Sequence, residues 1–182
     1  RPFSYIVPYY RFPQKTTVYT KEGKLVKVVN EVPLTEELPK GFMSVRKGKR
    51  SMQWRSDHPA TLAWAEALDE GDPAKEVEYR DQVFQSVAPF IGEPIPLLKT
   101  TNRFSGISWG TKDMAMVYHY WWNTRNLKAE LFNPSRPSDE TTVMMDRNYQ
   151  DRYSDPGSFV MKKNEYNRYV IDIQDGKAFL IG

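Results

Sequence analysis

Cysteine is absent from the 182 residues, which excludes disulfides, thiolate zinc sites and a cysteine nucleophile. Histidine occurs only as His58 and His119, so the commoner metal sites are hard to build, and the sequence predicts neither a metal nor a cofactor. An excess of charge of one sign is also missing. Lys and Arg number 26 against 23 Asp and Glu, a net +3 scattered along the chain. That balance offers no dedicated surface for nucleic acid or anionic lipid, and neither partner is expected. No window approaches the roughly 18 apolar residues of a membrane span, and no apolar core follows a basic start as in a signal peptide. Apolar spacing at three and four residues, the mark of an amphipathic helix, is nowhere sustained.

What remains is β material. Aromatics make up 14%, with 13 Pro and 10 Gly, and short β-branched or aromatic runs are cut by turn residues. The length fits about one domain. A hairpin is legible from Thr16–Thr20 and Leu25–Val29, turning at Lys21-Glu22-Gly23-Lys24, where Gly23 supplies positive φ. The chain opens on Arg1 and closes on the apolar run Ala178–Ile181, which has no following strand to pair with. It therefore reads as a piece of a longer chain with an open final strand, prone to self-association.

The sequence repeats itself. Ser51-Met52-Gln53-Trp54, the turn Arg55–Pro59 and Thr61–Ala65 are echoed by Gly106-Ile107-Ser108-Trp109, the turn Gly110–Asp113 and Met114–Tyr118. Trp54 and Trp109 stand 55 residues apart. Each unit continues with two more strands: Gln82–Ser86 and Ile95–Leu98 in the first, Leu127–Phe132 and Thr142–Met145 in the second. A third copy starts at Ser158–Met161 and Tyr169–Ile173. The second strand of each unit is apolar at nearly consecutive positions, as expected when both faces are covered. The third alternates, Leu127, Ala129 and Leu131 against Lys128 and Glu130, as for a strand nearer an outer edge. The fold class predicted is all-β: a partial β-propeller of tandem four-stranded antiparallel blades, cut from a larger ring. Its expected divisions are 1–40 for the end of one blade, 42–100 and 104–148 for two blades, and 158–182 for the start of the next. An antiparallel sandwich explains the repeat less well.

Gly106-Ile107-Ser108-Trp109-Gly110 fits the pattern of a hydrolase nucleophile elbow. An elbow needs a helix after the serine, whereas a turn and a strand follow it, and the repeat sets Ser108 opposite Gln53. The only histidine after it is His119 and the only carboxylate between them Asp113, too close together for three strand-end loops. The match is read as chance, and no catalytic residue is assigned. Tyr118–Trp122 could form a stacking platform, and is read rather as the packed end of a buried strand. His119 is read as buried and hydrogen-bonded, His58 as solvated in its turn. The basic run Arg46-Lys47-Gly48-Lys49-Arg50 could bind phosphate or an acidic peptide, and reads more simply as a solvated connection. Glu66, Asp69, Glu70 and Asp72 lack the spacing of a calcium loop.

Several separated segments, in order, carry a resemblance: Ser44–Gly48, Trp54-Arg55-Ser56-Asp57, Pro59 to Pro73, Arg80-Asp81, Gly106–Trp109 and Tyr153–Ser158. Together they resemble the N-terminal propeller of glutamyl endopeptidase-like members of the prolyl oligopeptidase family of serine peptidases. The resemblance implies a parent with a seven- or eight-bladed propeller followed by an α/β-hydrolase domain bearing a Ser-His-Asp triad. It also implies a peptide substrate and a gating role for the propeller. Its expected compartment is bacterial periplasmic or extracytoplasmic, or a plant plastid. The rival reading is a stand-alone propeller-like module that binds peptide, protein or glycan.

Overall fold

A computed structural model describes residues 4–182. Among them regular structure is almost wholly strand, with one 3-10 turn at Tyr9–Arg11. Strands β1 (Gln14–Tyr19) and β2 (Leu25–Val32) form the expected hairpin, closed by Gly23 at φ +83°.

Two four-stranded antiparallel sheets follow. Sheet I takes β3 (Arg50–Trp54), β4 (Thr61–Ala67), β5 (Asp81–Val87) and β6 (Ile95–Thr100), in that spatial order. Sheet II takes β7 (Arg103–Thr111), β8 (Met114–Trp121), β9 (Asn126–Phe132) and β10 (Thr142–Asn148), again in chain order. Each is a meander, the arrangement that antiparallel strands reach without crossovers. The two tryptophans hold equivalent places, Trp54 opposite Leu62 and Trp109 opposite Ala115.

The layers stack face to face, and side-chain alternation sorts the core accordingly. Ala63, Ala65 and Val83 of sheet I meet Phe104, Trp109, Ala115, Val117 and Phe132 of sheet II. The other face of sheet I presents Leu62 and Trp64 to Val18 and Val29 of the hairpin. The other face of sheet II presents Met116, Ala129 and Leu131 to Phe159, Ile171 and Ile173. Strand β4 is therefore buried at five consecutive positions, as its unbroken apolar run requires.

Strand β9 departs from its expected pattern. Lys128 and Glu130 do not face solvent as a pair, because Glu130 is buried beside His119. Both faces of β9 are covered, so alternation marks two different buried environments. The last layer also differs from the sequence reading. Ser158–Met161 divides into β11 (Ser158–Phe159) and β12 (Met161–Lys163), and Tyr169–Ile173 into β13 (Tyr169–Ile171) and β14 (Ile173–Gln174). The breaks fall where partners change: Val160 N–H donates to Phe179 O at 2.9 Å and Asp172 N–H to Val160 O at 2.8 Å. The closing run is not open. Strand β15 (Lys177–Ala178) pairs with β14, and β16 (Leu180–Ile181) pairs with β11.

Candidate functional site

The strand ends gather the chemistry-bearing side chains at two opposite ends of the stack. At the end where β4 gives way to β5, Arg103 binds two buried carboxylates. Its Nη1 and Nη2 donate to Asp69 Oδ1 and Oδ2 at 3.1 and 2.7 Å, and Nη1 also donates to Asp81 Oδ1 at 2.9 Å. Its Nε donates to Met43 O at 3.0 Å. Asp81 Oδ2 accepts from Phe104 N–H at 2.6 Å, and its Oδ1 lies against Arg50. Asp69 accepts further from Arg80 at 3.0 Å and from Gly71 N–H at 2.9 Å. Burial pushes the Asp69 carboxyl upward, yet the hydrogen bonds from Arg103 and Arg80 outweigh it and hold the group below its ordinary value. Burial likewise opposes the Arg103 charge, and Asp69 and Asp81 raise it above the usual value.

A strap of residues 41–47 crosses this end. Val45 N–H donates to Gly71 O at 3.1 Å, and a Cβ at Gly71 would stand 1.9 Å from Val45 O, so only glycine fits there at φ +80°. Phe42 stacks on Trp122 at 5.0 Å, Arg125 covers the same indole at 4.0 Å, and Arg80 covers Trp121 at 4.3 Å. Trp121 and Trp122, which end the aromatic run Tyr118–Trp122, are thus engaged by their neighbours.

His119 is fully buried. Its Nδ1 accepts from Asn102 N–H at 3.2 Å, which places the proton on Nε2, donating to Glu130 Oε1 at 2.9 Å. Thr141 Oγ1 donates to the other Glu130 oxygen at 2.5 Å. The His119 hydrogen bond, more than burial opposes, holds Glu130 below the usual carboxylate range.

At the opposite end, Arg55 is buried over the Trp109 ring at 4.6 Å. It donates to both oxygens of Asp57 and to Gln85 Oε1. His58 is half-buried, not fully solvated, with Nδ1 2.9 Å from Thr61 Oγ1. Thr61 donates to Pro59 O at 3.0 Å, so the group closes a turn. Asn164 Nδ2 donates to Ser56 O at 2.7 Å and Arg168 Nη1 to Arg55 O at 2.8 Å, joining the last layer to sheet I past sheet II.

Ser108 lies inside β7 opposite Met116, and Thr111 ends that strand before the turn into β8. Ser108 hydrogen-bonds Tyr118, whose hydroxyl pKa burial pushes above its ordinary value and this bond partly lowers. The four acidic residues of 66–72 are dispersed: Glu66 accepts from Trp64 Nε1, Asp69 serves Arg103, Glu70 pairs with Lys47 and Lys75, and Asp72 accepts from Ala74 N–H. Among the described residues no three His, Asp or Glu side chains are grouped as a metal site. The buried Asp69–Arg103–Asp81 arrangement was not foreseen from sequence. Its one signal is parity, since Asp81 shares a strand face with Val83 and Gln85, both buried.

Two proteins similar to this chain carry the name "Probable glutamyl endopeptidase, chloroplastic". One, from Arabidopsis thaliana, is 43% identical over 173 residues, 94% of this chain. The other, from Oryza sativa subsp. japonica, is 40% identical over the same share. The chain spans 18% of the length of each relative. No family model and no solved structure matches it.

Proposed function

We propose that this chain is a non-catalytic β-propeller segment of a serine peptidase of the prolyl oligopeptidase family. The observation that carries the reading is the 43% identity, across 94% of the chain, to a protein named as a glutamyl endopeptidase. The structure supports it with two equivalent four-stranded sheets stacked in tandem, each opening on a strand that bears the repeated tryptophan. The reach of Asn164 and Arg168 past sheet II to sheet I agrees with successive blades whose first strands converge on an axis.

In this reading peptide-bond cleavage belongs to a Ser-His-Asp triad on an α/β-hydrolase domain elsewhere in the parent, where serine attacks the carbonyl, histidine moves the proton and aspartate orients the histidine. The segment contributes rigid, charge-clamped sheets that form part of a gate restricting entry to peptides and unfolded chain. Ser108 has a strand position and a tyrosine partner, and His119 is committed to Asn102 and Glu130, so neither is given a catalytic role.

The test is hydrolysis of glutamate-containing peptides by the intact protein, with a fluorophosphonate probe to find the reactive serine. Hydrolysis retained in Ser108→Ala, with the label on a serine outside this chain, is the expected result. Labelling of Ser108 would overturn the reading, and peptide binding without hydrolysis would favour the binding module.

A further inference from the structure

Arg11, Arg46 and Arg50 line one cavity of about 270 Å³, with Tyr10, Thr35 and Ser44 beside them. Among the described residues no carboxylate side chain lines it. Arg50 is 8% exposed, and its guanidinium lies against Asp81, which Arg103 already occupies. Nη2 of Arg50 is the atom paired with Asp81, whereas its buried Nε has no hydrogen-bond partner among the described residues. Arg11 Nε is also buried without one, while its Nη1 donates to Glu36 O at 3.2 Å. Arg46 turns its guanidinium onto the Lys47 and Lys49 carbonyls.

Buried donors left without acceptors cost free energy, and cations sharing a cavity repel. Burial, and then the charge of Arg50, push the Arg46 guanidinium below its ordinary value. Glu36 and Glu37 line the adjoining groove, which shares Thr35, Leu38, Val45 and Arg46 with this cavity. Arg50 shares Asp81 with Arg103, and among the described residues Arg11 and Arg46 meet backbone carbonyls but no carboxylate. The basic run that sequence alone reads as a solvated connection is divided by the fold. Lys47 points to Glu70 and Lys49 covers Trp64, while Arg46 and Arg50 turn into the cavity.

We propose that this cavity is a binding site for a single oxyanion, a phosphate group or a carboxylate, held by Arg11, Arg46 and Arg50 with the Ser44 hydroxyl at its wall. The planar guanidinium fork matches both oxyanions, and the buried, unbonded Nε groups of Arg11 and Arg50 supply donors. The site stands apart from the peptidase reading and does not depend on it.

The experiment is calorimetric titration and thermal unfolding of the intact protein in sodium phosphate, sodium acetate and sodium chloride at matched ionic strength. Phosphate or acetate binds with measurable heat and raises the unfolding temperature above that in chloride. Tighter phosphate binding assigns the site to phosphate groups, and tighter acetate binding to carboxylates. Arg11→Gln and Arg46→Gln each weaken binding by about tenfold or more, the worth of one charge-assisted hydrogen bond. Without anion, Arg46→Gln unfolds at the same or a higher temperature, because it relieves repulsion with Arg50. Equal behaviour in all three salts, unchanged binding by both variants, or anion-free destabilisation of Arg46→Gln would overturn the proposal.

Discussion

Arg103 and Asp69 stand 34 residues apart in sequence and face each other as two parallel forks, at 3.1 and 2.7 Å, in a site from which water is excluded. The pair ties the first strand of sheet II to the β4–β5 connection of sheet I, and Asp81 extends the tie to β5.

Arg103→Met leaves two buried carboxylates short of a cation, and the cost expected is about 3 to 5 kcal/mol. Arg103→Lys recovers little, since an ammonium cannot bridge Asp69 and Asp81 together. Urea unfolding followed by tryptophan fluorescence measures both, and a loss under about 1 kcal/mol in Arg103→Met would show that the network contributes little.

Acid should weaken the fold through Asp69 and Glu130. Both carboxyls are held below their ordinary values in the folded chain, so their contribution is complete above the unfolded values near pH 4 and is lost as the pH falls through the lower folded ones. Unfolding midpoints measured between about pH 7 and pH 2 should fall along that limb. Glu130→Gln should flatten part of it. A wild-type midpoint independent of pH across the range contradicts this.

The equivalent tryptophans should not be equivalent in energy. Trp109 is 3% exposed between the sheets, whereas Trp54 is 40% exposed beside a layer of only two strands. Trp109→Ala is expected to cost about 3 to 5 kcal/mol and Trp54→Ala about 1 to 2. Trp109→Phe should be the milder change at its site, because the buried Nε1 has no hydrogen-bond partner among the described residues to lose.

Exposed apolar groups on the edge strand β10, Val143 and Met144, with Ile181 at 71% exposure, favour association between copies of the chain. Sedimentation velocity should show concentration-dependent dimers or larger species, diminished by Met144→Lys. A monomer at every concentration would count against this.

The strands of both sheets were legible because their cores are local: Leu62–Ala65 and Ala115–Val117 announce a strand covered on both faces, and Gly23 announces the hairpin turn. The charged interior was not legible. Arg103 carries no sign of Asp69, since their meeting depends on how one sheet lies over the next. Glu130 follows a pattern that also fits a solvent-facing residue, and only the covering layer decides between the two. The breaks at Val160 and Asp172 were hidden for a similar reason, because they arise from exchange of hydrogen-bonding partners and not from any breaker residue.

The carbonyls of Arg55 and Ser56 receive their donors from 113 and 108 residues downstream. On a ribosome adding about 5 to 20 residues per second, roughly 5 to 25 seconds separate the emergence of acceptor and donor. Throughout that interval the first turn of sheet I must be satisfied by water, and it becomes fastened only when residue 168 arrives. A chain interrupted between the two sheets' completion and that point would have its strands in place and one corner still untied.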